Sequence, residues 1–336
     1  MKQALIAAWY RKAWWLWLLW PLSLLYRVMA TLHRVITVRK QPYTPPVPLI
    51  VIGNITVGGT GKTPLCLALA RHFSAQGKRV VLVSRGYGGK SPLYPLTVDA
   101  GSDPLAAGDE AVLLAQQSGC KVVVDPKRVR AVQHAVQHLQ PDLVLSDDGL
   151  QHAAIKGSLE LLVVDGTRGL GNRLLLPAGP LREPARRLAT VDAVISNGEL
   201  AEALPYQCQY LTTMQLCPTG LRQLNTGENT DSSHWQQQWG KKVHAVAGIG
   251  NPGRFFASLE HLGFAIIPHV FDDHHGFAAG DLHFDDALPV IMTAKDAVKC
   301  QRFARGNWWA LDVETSVSPQ LLDYIESRMP WHAAQN

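Results

Sequence analysis

The stretch from Val51 to Leu65, VIGNITVGGTGKTPL, does most to limit what this chain can fold into. The apolar run Pro48 to Gly53 before it has the length and character of a buried strand. After it, Leu65, Leu69 and Phe73 recur on one side of a helical pattern over Lys62 to Ala75. A glycine-rich turn between a strand and a helix is a phosphate cradle: glycines let backbone N–H groups point inward, and the helix mouth favours anions. A strict cradle reads G-x-x-x-x-G-K-[ST]. Gly61, Lys62 and Thr63 supply its end, but Thr56 stands where the first glycine belongs. Threonine serves there if its φ is negative. The expected nucleotide-binding set is therefore Thr56, Val57, Gly58, Gly59, Thr60, Gly61, Lys62 and Thr63. Lys62 would reach the terminal phosphates and Thr63 would hold Mg²⁺.

Such a loop needs an acidic strand end beside it. LVLSDDGLQH, Leu143 to His152, delivers Asp147 and Asp148 from an apolar strand, where a phosphate-loop sheet places its Mg²⁺ carboxylate. Either aspartate could be the ligand, the other acting through water. Further apolar strands are expected at 79–84, 121–124, 161–164 and 193–196, with helices at 110–117 and 126–139. Strands alternating with helices imply an α/β, phosphate-loop NTPase-like fold: a mostly parallel sheet with helices on both faces. After a Gln-rich stretch around 225–240 the pattern restarts, giving a smaller second α/β lobe. The expected divisions are 1–40, 41–225 and 226–336.

Five cysteines are dispersed without C-x-x-C spacing, which argues against a disulfide framework or a zinc site. The formal charge of +5 is unevenly spread. The first 98 residues hold 13 Lys and Arg and no acid; the rest hold 32 − 13 = 19 basic against 27 acidic residues. That asymmetry calls for an anionic partner: membrane headgroups, nucleic acid or phosphate. Ala13 to Tyr26 is an uncharged run, and five of ten tryptophans fall in the first 20 residues. As a helix its 14 residues span roughly 21 Å against a hydrocarbon core of about 30 Å. Pro21 interrupts it, and Arg11, Lys12, Arg27, Arg34, Arg39 and Lys40 flank both ends. A helix lying in the membrane interface fits better than a span or a secretory signal.

Two rival motifs fit poorly. Gly248 to Gly253, GIGNPG, matches G-x-G-x-x-G, but Pro252 removes an N–H and no clear ribose-binding acid follows, the nearest candidate, Asp272, belonging to the DHH segment. Thr293 to Asp296, TAKD, has the wrong spacing for a guanine-reading N-K-x-D.

GNITVGGTGKTP, SRGYGG (Ser84 to Gly89), GDE (Gly108 to Glu110), DDGLQH, LPAGPLREP (Leu176 to Pro184) and FDDHHGF (Phe271 to Phe277) occur in that order. In combination they resemble the tetraacyldisaccharide 4′-kinase family of lipid A synthesis, over nearly the whole chain. The resemblance implies transfer of the γ-phosphoryl group of ATP, with Mg²⁺, to the 4′-hydroxyl of an acylated glucosamine disaccharide 1-phosphate, forming lipid IVA. It implies the cytoplasmic face of the bacterial inner membrane as location, anionic lipid as partner, and no nucleic acid. It makes Asp109 the proton acceptor, paired with a histidine of the DHH segment, His274 in preference to His275. Arg85, Tyr87, Arg128, Arg182 and Glu183 are the further candidates for substrate or phosphate contact. A solvated helix face is the default for Arg128 and Arg130, and a surface ion pair the plain reading of Arg182 with Glu183.

Overall fold

The structure is a computed structural model describing residues 2–38, 41–329 and 331; Arg39 and Lys40, two of the basic flanking residues, lie outside the described residues. Helix α1 (Lys2–Tyr10) leads through a 3-10 turn (Trp14–Leu19) into α2 (Trp20–Val38). The first half continues as β1 (Leu49–Gly53), α3 (Lys62–Ala75), β2 (Val80–Ser84), β3 (Leu96–Val98), α4 (Pro104–Ala107) and α5 (Asp109–Ser118). There follow β4 (Lys121–Val124), α6 (Arg128–His134), β5 (Leu143–Ser146), β6 (Leu159–Asp165) and β7 (Ala193–Asn197). The second half comprises β8 (Leu211–Gln223), β9 (Asn229–Thr230), α7 (Ser232–Trp239), β10 (Lys242–Ala247), α8 (Pro252–His261) and β11 (Ala265–Val270). It closes with β12 (Val290–Thr293), α9 (Ala294–Cys300), β13 (Trp308–Val317) and α10 (Pro319–Arg328).

All strands join one sheet in the order β11-β10-β12-β13-β8-β7-β6-β1-β5-β2-β4-β3, with β9 on β8. Most neighbours are parallel; β3/β4, β8/β9 and β8/β13 are antiparallel. Every residue of β1 and β2 is buried, as expected for strands covered on both faces. The long β8/β13 ladder is the seam between the two halves and shifts register at Asp312/Val313.

Strand β8 was not expected. Its burial alternates irregularly and it contains Pro218, so no apolar run marks it. The Gln-rich stretch holds a helix, α7, whose Trp235 is buried against Trp309 and Phe264. The last helix, α10, returns to the first half, where Leu321 and Ile325 join the core built on α3 and α5.

The N-terminal segment departs from expectation in length. Pro21 does not break it, because it sits in the first turn of α2, where a missing N–H costs nothing. Helical residues therefore run from Trp14 to Val38, 25 residues, so length no longer argues against a span. Trp9 and Leu16 are buried against Val57 and Leu176, whereas Trp14, Trp17 and Leu18 are 78%, 64% and 74% exposed. Four hydrogen bonds dock the segment on the 175–182 loop: Trp9 Nε1 to Pro177 O, Ser23 Oγ to Leu175 O, Ala178 N to Ser23 Oγ, and Tyr26 OH to Arg182 O.

Candidate active site

The C-terminal ends of β1, β2, β5 and β7 open into a cavity of about 920 Å³, roofed by residues 249–251, Arg254, 273–274 and 293–295 from the second half. This is the crevice where open α/β sheets hold ligands.

The 56–63 loop enters α3 directly. Positive φ values of +102° at Gly58 and +101° at Gly61 are met by glycine, and Thr56 is not among the positive-φ residues, so it fits where a first glycine was missing. A Cβ on Gly61 would also lie 2.8 Å from Met214 Cε. Carbonyls of the loop are tied outward, leaving the N–H groups beyond Val57 for a ligand; Val57 N itself donates to Pro180 O at 2.8 Å. Asn54 Nδ2 donates to Thr56 O at 2.9 Å, Asn197 Nδ2 donates to Thr60 O at 3.0 Å, and Arg168 donates to Gly59 O. Arg168 also reaches Gly250 O at 3.3 Å and stacks on Tyr10, linking the loop to the second half and to α1. The GIGNPG turn is thus a lid against the loop: a Cβ on Gly250 would meet Gly59 N at 2.7 Å.

Lys62 donates to Asn54 Oδ1 at 3.2 Å and lies 3.6 Å from Asp148. Arg182 donates to Asp148 Oδ1 at 3.0 Å and to Asn54. Burial pushes the Asp148 carboxyl up, but Lys62 and Arg182 outweigh it and hold it well below the usual range. Asp147 differs. Thr63 Oγ1 donates to its Oδ2 at 3.3 Å, while its Oδ1 is buried without a partner. Burial, with Glu110 nearby, raises this carboxyl to about 6. A buried carboxylate oxygen with an unused lone pair, beside a threonine hydroxyl, fits a hard cation such as Mg²⁺. Among the described residues no cluster of three or more His, Cys, Asp or Glu offers a cage. Magnesium characteristically takes one or two protein ligands and completes its shell with phosphate and water.

Arg128 corrects the solvated-face expectation. It is buried, donates through one Nη to Asp147 O, and leaves Nε and its other Nη without partners. Burial pulls its guanidinium down to about 10. Arg130 instead pairs with Asp125. Glu183 also departs from expectation: it accepts from Gln151 at 2.7 Å and approaches Arg187 and Arg34 rather than Arg182.

Opposite the loop, Asp109 opens α5 as a buried side chain, and His274 reaches down from the second half. His274 Nδ1 stands 3.6 Å from Asp109 Oδ2. Burial pushes the Asp109 carboxyl up, but His274, Lys295 and Lys299 outweigh it and bring it to about 2. Tyr87 packs its ring on His274 with centroids 4.5 Å apart, and Arg85 lines the same wall. His275 turns away to Asp281 at 3.0 Å. Sequence reasoning passed over Asn54, Asn197, Arg168, Lys295 and Lys299. Two of these lysines lie in or beside TAKD, which spacing alone had set aside.

A cradle of this form, with a threonine–aspartate cation corner and, across one cavity, a histidine backed by a buried acid, defines an enzyme that handles nucleoside triphosphates and moves a phosphoryl group. The family model described as Tetraacyldisaccharide-1-P 4'-kinase matches residues 15–330, and the chain belongs to that family. It is 46% identical over 330 residues to the Tetraacyldisaccharide 4'-kinase of Pseudomonas aeruginosa, covering 98% of this chain and 97% of that protein. With the protein of the same name from Alcanivorax borkumensis it shares 49% identity over 321 residues, 95% of each. The crystal structure of LpxK from Aquifex aeolicus in complex with ATP superposes with a TM-score of 0.75 at 27% identity, covering 93% of this chain and 98% of that one.

Proposed function

We propose that this chain transfers the γ-phosphoryl group of ATP to the 4′-hydroxyl of a tetraacylated glucosamine disaccharide 1-phosphate, yielding lipid IVA, at the cytoplasmic face of the bacterial inner membrane. The observation carrying this reading is the facing of two sets across one cavity: the Lys62–Thr63–Asp147 corner on one side and His274 on the other, with the buried Asp109 carboxylate 3.6 Å from the His274 ring. The names of the relatives and of the ATP-bound structure support it.

Phosphoryl transfer asks a protein for positioning and charge neutralisation more than for covalent chemistry. Backbone N–H groups of residues 58–63 and the mouth of α3 take the phosphate tail. Lys62 is held within reach of the terminal phosphates by Asn54 and Asp148. Arg182, anchored on the same two residues, presents a second cation, and Arg85 and Arg128 flank it. Thr63 and Asp147 would hold Mg²⁺, which when bound neutralises charge on the phosphate oxygens. Asp109 receives the hydroxyl proton, and His274 orients its carboxylate. Its neighbours hold the Asp109 carboxyl low, so it is ionised and able to accept a proton at neutral pH.

The exposed apolar residues of the 14–38 segment, with Arg27 and Arg34, suit an anionic lipid surface. Its hydrogen bonds to residues 175–182 put that surface next to the loop carrying Arg182, so a lipid-borne hydroxyl is delivered from the membrane edge. The test is transfer of label from γ-labelled ATP to the acylated disaccharide, with and without Mg²⁺, by wild type and Lys62→Ala. Mg²⁺-dependent labelling lost in the variant is the expected result. Equal labelling by both proteins would remove the loop from the mechanism.

A further inference from the structure

Helix α9 begins at the TAKD motif, and its contacts give that motif a task. Thr293 Oγ1 caps the helix at Asp296 N, and Asp296 Oδ2 accepts from Gly248 N at 2.8 Å, so the helix start is locked to the GIGNPG turn. From this base Lys295 spans the junction of the two halves. Its ammonium donates to Glu110 Oε1 at 2.9 Å on α5, to Asp273 Oδ1 at 3.3 Å, and stands 3.3 Å from His274 Nε2. One turn on, Lys299 lies 3.1 Å from Asp296 and 3.4 Å from Asp109.

An ammonium group has donors and no acceptor, so the nitrogen it faces must present its lone pair. A neutral imidazole carries one proton, which leaves it on Nδ1, the atom facing Asp109 Oδ2. Neither Nδ1 of His274 nor Oδ2 of Asp109, both buried, makes a hydrogen bond; Oδ2 has only the Lys299 ammonium 3.4 Å away. A donor without an acceptor and an acceptor with a lone pair to spare, 3.6 Å apart, await only a slight approach of the halves.

We infer that Lys295 is a positioning residue of the reaction, holding His274 in the Nδ1–H tautomer so that the ring donates to Asp109. This rests on the kinase reading above. His274 in this arrangement orients the proton acceptor rather than storing the proton. The groups facing the ring are Asp109 and Glu110 on α5, Asp273 beside it, Lys295 and Lys299 on α9, and Tyr87 on its face. Removing the Lys295 ammonium opens Nε2 to a proton and leaves Asp109 and Asp273 to favour a charged ring. The charged ring then grips Asp109 and opposes its proton acceptance at low pH.

The experiment is a kinetic double-mutant cycle of Lys295→Met with His274→Ala, measured as labelled phosphate transfer to the acylated disaccharide from pH 5.5 to 9. Lys295→Met alone is expected to lower kcat about ten-fold or more at neutral pH. Its acid limb moves to higher pH and KM for ATP stays within about three-fold of wild type. In the His274→Ala background the same change has little further effect, because the group it acts through is gone. Lys295→Arg, which keeps the cation, restores part of the activity and the acid limb, and serves in place of the methionine variant if that one does not fold. Multiplicative effects of the two substitutions, or an acid limb that does not move, overturn the inference while leaving the kinase reading intact. A wild-type protein that transfers no label refutes that reading and the inference with it.

Discussion

Asp147→Asn is expected to make the protein's stability less dependent on pH while ending its Mg²⁺-dependent turnover. Burial and Glu110 raise the Asp147 carboxyl from 3.8 to about 6 against the pull of Lys62 and Arg128. An acid whose folded-state pKa is raised favours the folded state at low pH. That contribution is full below about pH 4 and is lost as pH climbs through about 6. A difference of about two units amounts to about 3 kcal/mol, of which about 1.4 kcal/mol falls between pH 5 and pH 8. Asparagine does not titrate, so the variant lacks this loss. For 336 residues the unfolding entropy is about 0.7 kcal/mol/K, which turns that portion into ~2 °C. Calorimetric scans of both proteins at pH 5 and pH 8, without nucleotide or divalent metal, give the Tm difference, variant minus wild type. It is expected to grow by about 2 °C toward pH 8, whatever offset asparagine packing adds at both pH values. A difference that stays constant or shrinks would refute the claim that the fold holds a destabilised carboxylate. Added Mg²⁺ with ATP is expected to raise Tm for the wild type more than for the variant.

Asp109→Ala should lower kcat on the order of 10² to 10⁴-fold while the Kd for ATP, read by calorimetric titration, changes only a few-fold. Gly250→Ala puts a methyl group 2.7 Å from the Gly59 amide nitrogen. Steady-state kinetics should then show KM for ATP rising on the order of ten-fold, although the residue lies in the other half of the chain. Replacing both Trp17 and Leu18 by serine removes exposed apolar area worth about 1.5–3 kcal/mol per side chain in a bilayer. Cosedimentation with anionic vesicles should drop at least ten-fold, and Tm should be unchanged because both side chains face solvent.

The parallel core was legible because its strands carry short apolar runs, and Lys121–Val124 and Leu143–Ser146 end where the sequence ends them. Strand β8 was not, since only two of its 13 residues are buried and its pairing with β13 depends on partners nearly a hundred residues away. Pro21 misled because its effect depends on its place in a helix, which sequence position alone does not give. Local spacing marked the phosphate loop and the acidic strand end. Which aspartate carries the free oxygen was decided by Lys62 and Thr63 at the start of α3 and Arg182 from a loop 120 residues later converging on the pair. Arg128 looked like a surface residue because nothing near it in sequence covers it. Lys295 and Lys299 were passed over because their partners, Glu110 and Asp109, lie more than 180 residues earlier.

The most direct test is a crystal structure of the full chain with Mg²⁺ and a non-hydrolysable ATP analogue in a lipid-mimetic detergent. The triphosphate should rest on the backbone amides of residues 58–63, with Thr63 and Asp147 on the metal and the γ-phosphate turned toward Asp109 and His274. A triphosphate bound away from residues 58–63, or a metal held by neither Thr63 nor Asp147, would contradict the account.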